Sequence, residues 1–157
     1  MLIVPHLFNG VKVTEKQSCE FPESNPPDDE IRAILENSKT IAVVGLSDKP
    51  ERDSYSVAEY LKKHGYTIIP VNPAKTEILG EKSYTDLASI PVEVDVVDIF
   101  RNIDAVPGVV DEAIKIKAKA VWMQLGLAHN ESARKAAAAG LKAVQSKCMK
   151  IEHQKLH

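Results

Sequence analysis

Residues 40–73 read TIAVVGLSDKPERDSYSVAEYLKKHGYTIIPVNP, and this stretch decides the fold. Thr40–Gly45 is a continuous apolar run, the pattern of a strand buried on both faces of a parallel sheet. Ser54–His64 places Val57, Ala58 and Leu61 at helical spacing, and Gly65 supplies the stop. Tyr66–Val71 is a second β-rich run, closed by Asn72-Pro73. Strand, helix and strand of these lengths form a βαβ unit, whose two strands lie parallel in one sheet.

The same alternation continues outward. Val94–Phe100, Ala118–Met123 and Leu141–Gln145 read as further core strands. Val106–Lys117 is an amphipathic helix with Pro107 tolerated in its first turn, and a second helix runs to Ala139, capped by Asn130 and stopped by Gly140. Cys148–Leu156 reads as a helical tail. Residues 74–91 are less regular, with Lys82–Tyr84 as a small strand or loop and Asp86–Ser89 starting a short helix. On the N-terminal side, Asp28 or Asp29 caps a helix over Glu30–Asn37 that turns Ile31, Ile34 and Leu35 inward. The expectation is an α/β, Rossmann-like doubly wound fold. Its mainly parallel sheet has about five strands, with helices on both faces and right-handed crossovers.

The first 27 residues differ in character and read as an extension to a domain over 28–157. Leu2–Phe8 and Val11–Thr14 flank Asn9-Gly10, a strong hairpin signal, with Pro5 confining the first strand to a sheet edge. The polar, proline-rich stretch SCEFPESNPPDD reads as a linker. An exposed hairpin edge leaves a homodimer or another protein partner open.

Composition excludes several classes. With 157 residues and 44% hydrophobic content, the chain is long enough to bury its own core. Twenty Lys and Arg against 22 Asp and Glu give a net charge of −2, so bulk charge argues neither for nucleic acid nor for a membrane surface. Two cysteines are too few for a disulfide scaffold or a multi-Cys zinc site. No apolar run is long enough to span a bilayer, and the N-terminus lacks a leader pattern, so a soluble cytoplasmic protein is expected.

In an open α/β sheet, ligands bind beyond the carboxyl ends of the strands, where strand order reverses. Four loops lie there. The first, Gly45–Ser54, is neither G-x-G-x-x-G nor a Walker A loop. It still suits an anion: Gly45 admits a close backbone approach, Ser47 and Ser54 carry hydroxyls, Arg52 offers a planar fork, and a helix N-terminus follows. The second strand ends Pro70-Val71-Asn72-Pro73-Ala74-Lys75, with no acid for a ribose diol but a lysine nearby. A ribose carrying a phosphate is favoured, which leaves coenzyme A and NADP both open. Phe100-Arg101 ends the third strand, where it can flank an adenine or meet a phosphate, or serve as core and surface. The fourth ends Trp122-Met123-Gln124-Leu125-Gly126, in which Gln124 can line a cleft.

Together these segments resemble the CoA-binding domain family, the Rossmann-like module of the succinyl-CoA ligase α-subunit and of ADP-forming acyl-CoA ligases, and especially its small stand-alone members. The resemblance rests on 43–66, IPVNP (69–73), VDVVDIFR (94–101), VWMQLG (121–126) and 136–153. It implies that Gly45, Ser47, Lys49, Pro50, Arg52 and Ser54 hold CoA phosphates. It also implies that Val71, Asn72, Pro73 and Lys75 lie near ribose and adenine, with Phe100, Arg101 and Gln124 along the pantetheine side. Ser146 departs from the family, where Asn or Asp often precedes Lys147-Cys148.

Catalysis has less support. The related ligases use a phosphorylated histidine and an ATP-grasp unit from further domains. His6, His64, His129, His153 and His157 are scattered, with His129 the one near a strand-end loop. Cys148 is a candidate for mixed-disulfide exchange or a packed helix-start residue. Asp98, near a strand end, is expected to organise the first loop. The leading expectation is a protein that binds coenzyme A or an acyl-CoA without catalytic groups of its own. The alternatives are an NADP-dependent oxidoreductase or an assembly subunit with a vestigial nucleotide site.

Overall fold

The structure, a computed structural model, describes residues 20–156 together with 7–8 and 11–12. β1 (Leu7–Phe8) and β2 (Val11–Lys12) pair antiparallel, Leu7 opposite Lys12 and Phe8 opposite Val11. Pro5 and the expected Asn9-Gly10 turn lie outside the described residues.

From residue 28 the chain alternates as its apolar pattern requires. α1 (Asp28–Asn37) leads into β3 (Thr40–Val44), α2 (Asp53–Lys63) and β4 (Thr67–Val71). β5 (Glu77–Ile78) and β6 (Glu81–Lys82) form a small antiparallel pair, and Tyr84 bridges to Val71. A 3-10 turn at Leu87–Ser89 precedes β7 (Val96–Ile99), and another at Ile103–Ala105 precedes α3 (Val106–Lys115). β8 (Ala120–Met123), α4 (Asn130–Ala138), β9 (Lys142–Val144) and α5 (Met149–Gln154) complete the fold.

Five strands form one wholly parallel sheet in the order β4-β3-β7-β8-β9. The chain moves outward from β3 to β4, then returns to the other side of β3 at β7. That reversal places the switch point between the carboxyl ends of β3 and β7. Side chains alternate between two cores. Ala42, Val97, Val121 and Met123 meet α3 and α4 through Val106, Val110 and Ala136. Val43, Val96 and Trp122 meet α1, α2 and α5 through Leu35, Val57, Leu61 and Met149. Trp122 is wholly buried, and its indole N–H donates to the Lys147 carbonyl at 2.8 Å, so the chain's one tryptophan is core.

Local details differ from the sequence reading where tertiary contacts decide them. Pro27 occupies the N-cap of α1, with Asp28 and Asp29 inside its first turn. His129, not Asn130, caps α4: its Nδ1 accepts from the Ser132 N–H at 3.2 Å. Asn130 is instead engaged by the stretch expected as a linker. Its N–H donates to Glu20 at 2.8 Å, its Nδ2 to the Phe21 carbonyl at 2.9 Å, and its Oδ1 accepts from the Glu23 N–H at 2.8 Å. Asn25 pairs with the Gln145 backbone through both amide atoms, at 2.9 and 2.7 Å. Residues 20–27 thus form a strap across β9 and the start of α4. No helix among the described residues is long and apolar enough to cross a membrane.

Candidate functional site

Gly45 is the knot of the site. Its N–H donates to the Val71 carbonyl at 2.9 Å, while the Phe100 N–H donates to the Val44 carbonyl at 2.9 Å, so the ends of β4, β3 and β7 are tied at one point. Gly45 has φ +88°, and a Cβ there would lie 2.1 Å from the Phe100 carbonyl oxygen and 2.9 Å from Arg101 Cδ. Only glycine fits both the backbone and the space.

The loop that follows is held by its own hydroxyls. Leu46 is wholly buried and anchors it. Ser54 Oγ accepts from the Ser47 N–H at 3.0 Å, and Ser47 Oγ accepts from the Lys49 N–H at 3.1 Å. Each hydroxyl keeps its own hydrogen to donate. α2 then starts at Asp53 with no side-chain cap. Among the described residues its first-turn amides have no side-chain capping partner, and they carry the positive end of the helix dipole, an arrangement that accepts an anion.

The second loop is bound to the first. Asn72 Nδ2 donates to the Leu46 carbonyl at 3.0 Å, and its Oδ1 accepts from the Ala74 N–H at 2.9 Å. Both ends of the Asn72 amide are therefore occupied within the protein. Lys75 Nζ lies 2.9 Å from Asp48, and this hydrogen bond holds the Asp48 carboxyl below its usual range.

A cleft of about 1040 Å³ runs above these strand ends. Of the expected residues, Gly45, Ser47, Lys49, Arg52, Ser54, Asn72, Lys75, Phe100, Arg101 and Gln124 line it. Pro50, Val71 and Pro73 do not. Val71 is buried and contributes its carbonyl to Gly45, while both prolines are exposed outside the wall. Sequence reasoning missed the acids: Asp48, Glu51, Asp53 and Asp104 line the cleft together with Lys49, Arg52, Lys75 and Arg101. The cleft is thus balanced in formal charge, and an anion is favoured by local geometry rather than by overall field. It also missed Leu125, which stands 68% exposed in the same wall.

Behind Gln124 lies Asp98, wholly buried on β7 between Val43 and Trp122 of the neighbouring strands. Burial pushes its carboxyl up to about 7, opposed by a hydrogen bond from Gln124 Nε2 to its Oδ1. Its Oδ2 has no hydrogen-bond partner among the described residues. The expectation that Asp98 organises the first loop is corrected: its partner is in the fourth. Asp95, two residues earlier, is structural. Burial alone raises its carboxyl, but the Thr40 and Lys39 N–H groups and Lys119 bring it below the ordinary value.

Ser146 braces the fourth loop. It adopts φ +53°, its Oγ accepts from the Gly126 N–H at 3.0 Å, and its own N–H donates to the Leu127 carbonyl at 2.9 Å. Asn and Asp tolerate this left-handed conformation more readily than serine does. Among the described residues that line the cleft there is no histidine or cysteine. His129 is spent on its cap, and Cys148 packs half-buried at the start of α5.

The sequence family described as CoA binding domain matches residues 39–154. Over 129 residues the chain is 40% identical to the YneT protein of Bacillus subtilis (strain 168), covering 82% of this chain and 96% of that one. A solved structure of a hypothetical protein from Pyrococcus horikoshii OT3 matches with a TM-score of 0.82 at 42% identity, covering 88% of this chain and 98% of its own. A 60-residue stretch is 40% identical to the ADP-forming acetate–CoA ligase II subunit alpha of Pyrococcus furiosus, spanning 38% of this chain and 13% of that subunit. The family match runs from the residue before β3 to the end of α5 and takes in the whole sheet and every wall of the cleft, so the chain belongs to the CoA binding domain family.

Proposed function

We propose that the chain binds coenzyme A or an acyl-CoA in this cleft and carries no catalytic apparatus of its own. The observation that carries the reading is the first loop. A glycine-tied strand end leads through two ordered serines into an uncapped helix N-terminus, with Lys49 and Arg52 beside it. That is a phosphate cradle built from backbone amides and two cations. Lys75 reaches the same wall from the second loop and suits the ribose phosphate. Gln124 and Leu125 offer a polar and an apolar contact for the pantetheine arm on the fourth. The volume suits a nucleotide with a long arm, being at the upper end of small-molecule sites.

Family membership supports a CoA-related ligand, and the ligase subunit among the relatives supports a role beside chemistry that consumes or makes an acyl-CoA. A ligand with a free thiol suits a reducing, cytoplasmic setting. The test is calorimetric titration of CoA into the protein and into Arg52→Ala. Arg52 lies on the exposed wall, so the variant should keep its melting temperature and bind CoA about tenfold more weakly, because a charge-assisted contact is lost. Equal affinity in the two proteins would contradict the cradle.

A further inference from the structure

Gln124 stands between a buried carboxyl and the cleft. It is 6% exposed and lines the wall, its Nε2 donates to Asp98, and its Oε1 accepts from no described protein group. Asp98 is itself wholly buried, with one oxygen on Gln124 and the other without a partner among the described residues. A side chain kept only for packing would be better served by an apolar residue of the same size, since an unpartnered buried oxygen destabilises the fold. We propose that Asp98 is a positioning residue: it fixes the sense of the Gln124 amide, so that the cleft presents a carbonyl acceptor to an N–H donor on the bound molecule. Resting on the CoA reading, this assigns that contact to an amide N–H of the pantetheine arm.

A carboxylate only accepts, so it holds the Gln124 NH2 inward and the Oε1 outward. A protonated carboxyl can also donate, and then the reversed amide, NH2 outward, is equally well bonded. Asparagine at 98 mimics that neutral acid, because it too both donates and accepts. The surroundings leave this control to Asp98. β3 and β8 flank it with Val43 and Trp122. On that face α2 buries Ser54 and Val57, and α5 buries Met149 with Cys148 before it. Cys148 and the buried Glu152 and His153 of α5 are the titratable groups these helices bring to this side, and no charged side chain contributes to the shift of Asp98, which comes from burial and Gln124. The Tyr60–His153 pair joins the same two helices about one turn further along.

The experiment measures CoA affinity for the protein, Asp98→Asn and Gln124→Leu, beside adenosine 3′-phosphate 5′-diphosphate, which lacks the arm. Gln124→Leu should lose about fivefold in CoA affinity and leave the armless nucleotide unchanged. The ratio of CoA dissociation constants, Asp98→Asn over unaltered protein, cancels the ligand's own titration. It should be about three at about pH 8 and approach one at about pH 5.5, where Asp98 is protonated. A ratio that does not move with pH overturns the inference, as does a Gln124→Leu effect equal on both ligands or absent. CoA binding that survives these failures leaves the broader reading intact, whereas a protein that binds the armless nucleotide and not CoA loses both.

Discussion

Replacing Gly45 by alanine tests the knot on which the site depends. The new Cβ would sit 2.1 Å from the Phe100 carbonyl oxygen, so the ends of β3 and β7 must separate by an ångström or more. The nearby Phe100 N–H to Val44 carbonyl bond, at 2.9 Å, bears that movement. Left-handed backbone in a residue with a side chain costs about 1–2 kcal/mol, and a distorted buried hydrogen bond adds about 1–2 kcal/mol. The expected loss is about 3 kcal/mol, which lowers the melting temperature by about 6–12 °C for a chain of this size. Gly126→Ala is the control. Gly126 shares φ +88°, but its Cβ would meet nothing within 4 Å. It should lose only the backbone part, about 1–2 kcal/mol. Urea unfolding of both variants separates clash from strain. Equal losses in the two would refute the claim that strand crossing at Gly45 demands glycine.

Asn25→Ala should cost about 1–3 kcal/mol in urea unfolding, since two hydrogen bonds to Gln145 are lost, and a change under about 0.5 kcal/mol would mean that the strap contributes nothing. Asp48→Asn removes the carboxylate that holds Lys75 and faces the cleft, so CoA affinity should rise severalfold with little change in melting temperature; weaker binding would show that Asp48 serves to orient Lys75. For Asp98 the sign is fixed by its raised folded value. The folded chain binds this proton more tightly than the unfolded one, so the stability it confers is full below about pH 4 and lost as pH rises through about 7. The lost amount is on the order of 4 kcal/mol at about 1.4 kcal/mol per pH unit. Asp98→Asn should therefore gain stability relative to the unaltered protein as pH is raised from about 5 to about 8, in paired denaturant titrations.

Much of this architecture is written locally. The apolar runs at 40–45 and 120–123 mark buried strands because a strand covered on both faces has no solvent side to keep polar. Gly65 and Gly140 end their helices at positive φ, a demand visible in the residue itself. What was not legible depends on distant partners. Asn25 and Glu23 read as linker because Gln145, Asn130 and Arg134, more than a hundred residues away, are what they bind. Asp48 carries no signal of its own in the sequence, because its partner Lys75 comes from another loop. Asn72 is expected near the ligand and lines the cleft, but that its amide also ties the two loops together, through Leu46 and Ala74, depends on the fold. Asp98 stands out in the sequence by its place at a strand end. Its partner followed from the alignment of β7 with β8, which no periodicity reveals.

The most direct test of a phosphate-cradling CoA site is thermal unfolding with CoA, acetyl-CoA, NADPH and ADP supplied separately in excess. A ligand at about 100 times its dissociation constant adds about 2.7 kcal/mol, or about 5–10 °C here. That shift is expected with CoA and acetyl-CoA, and none of that size with NADPH. A shift with NADPH alone, or with none of the four, would contradict the CoA site.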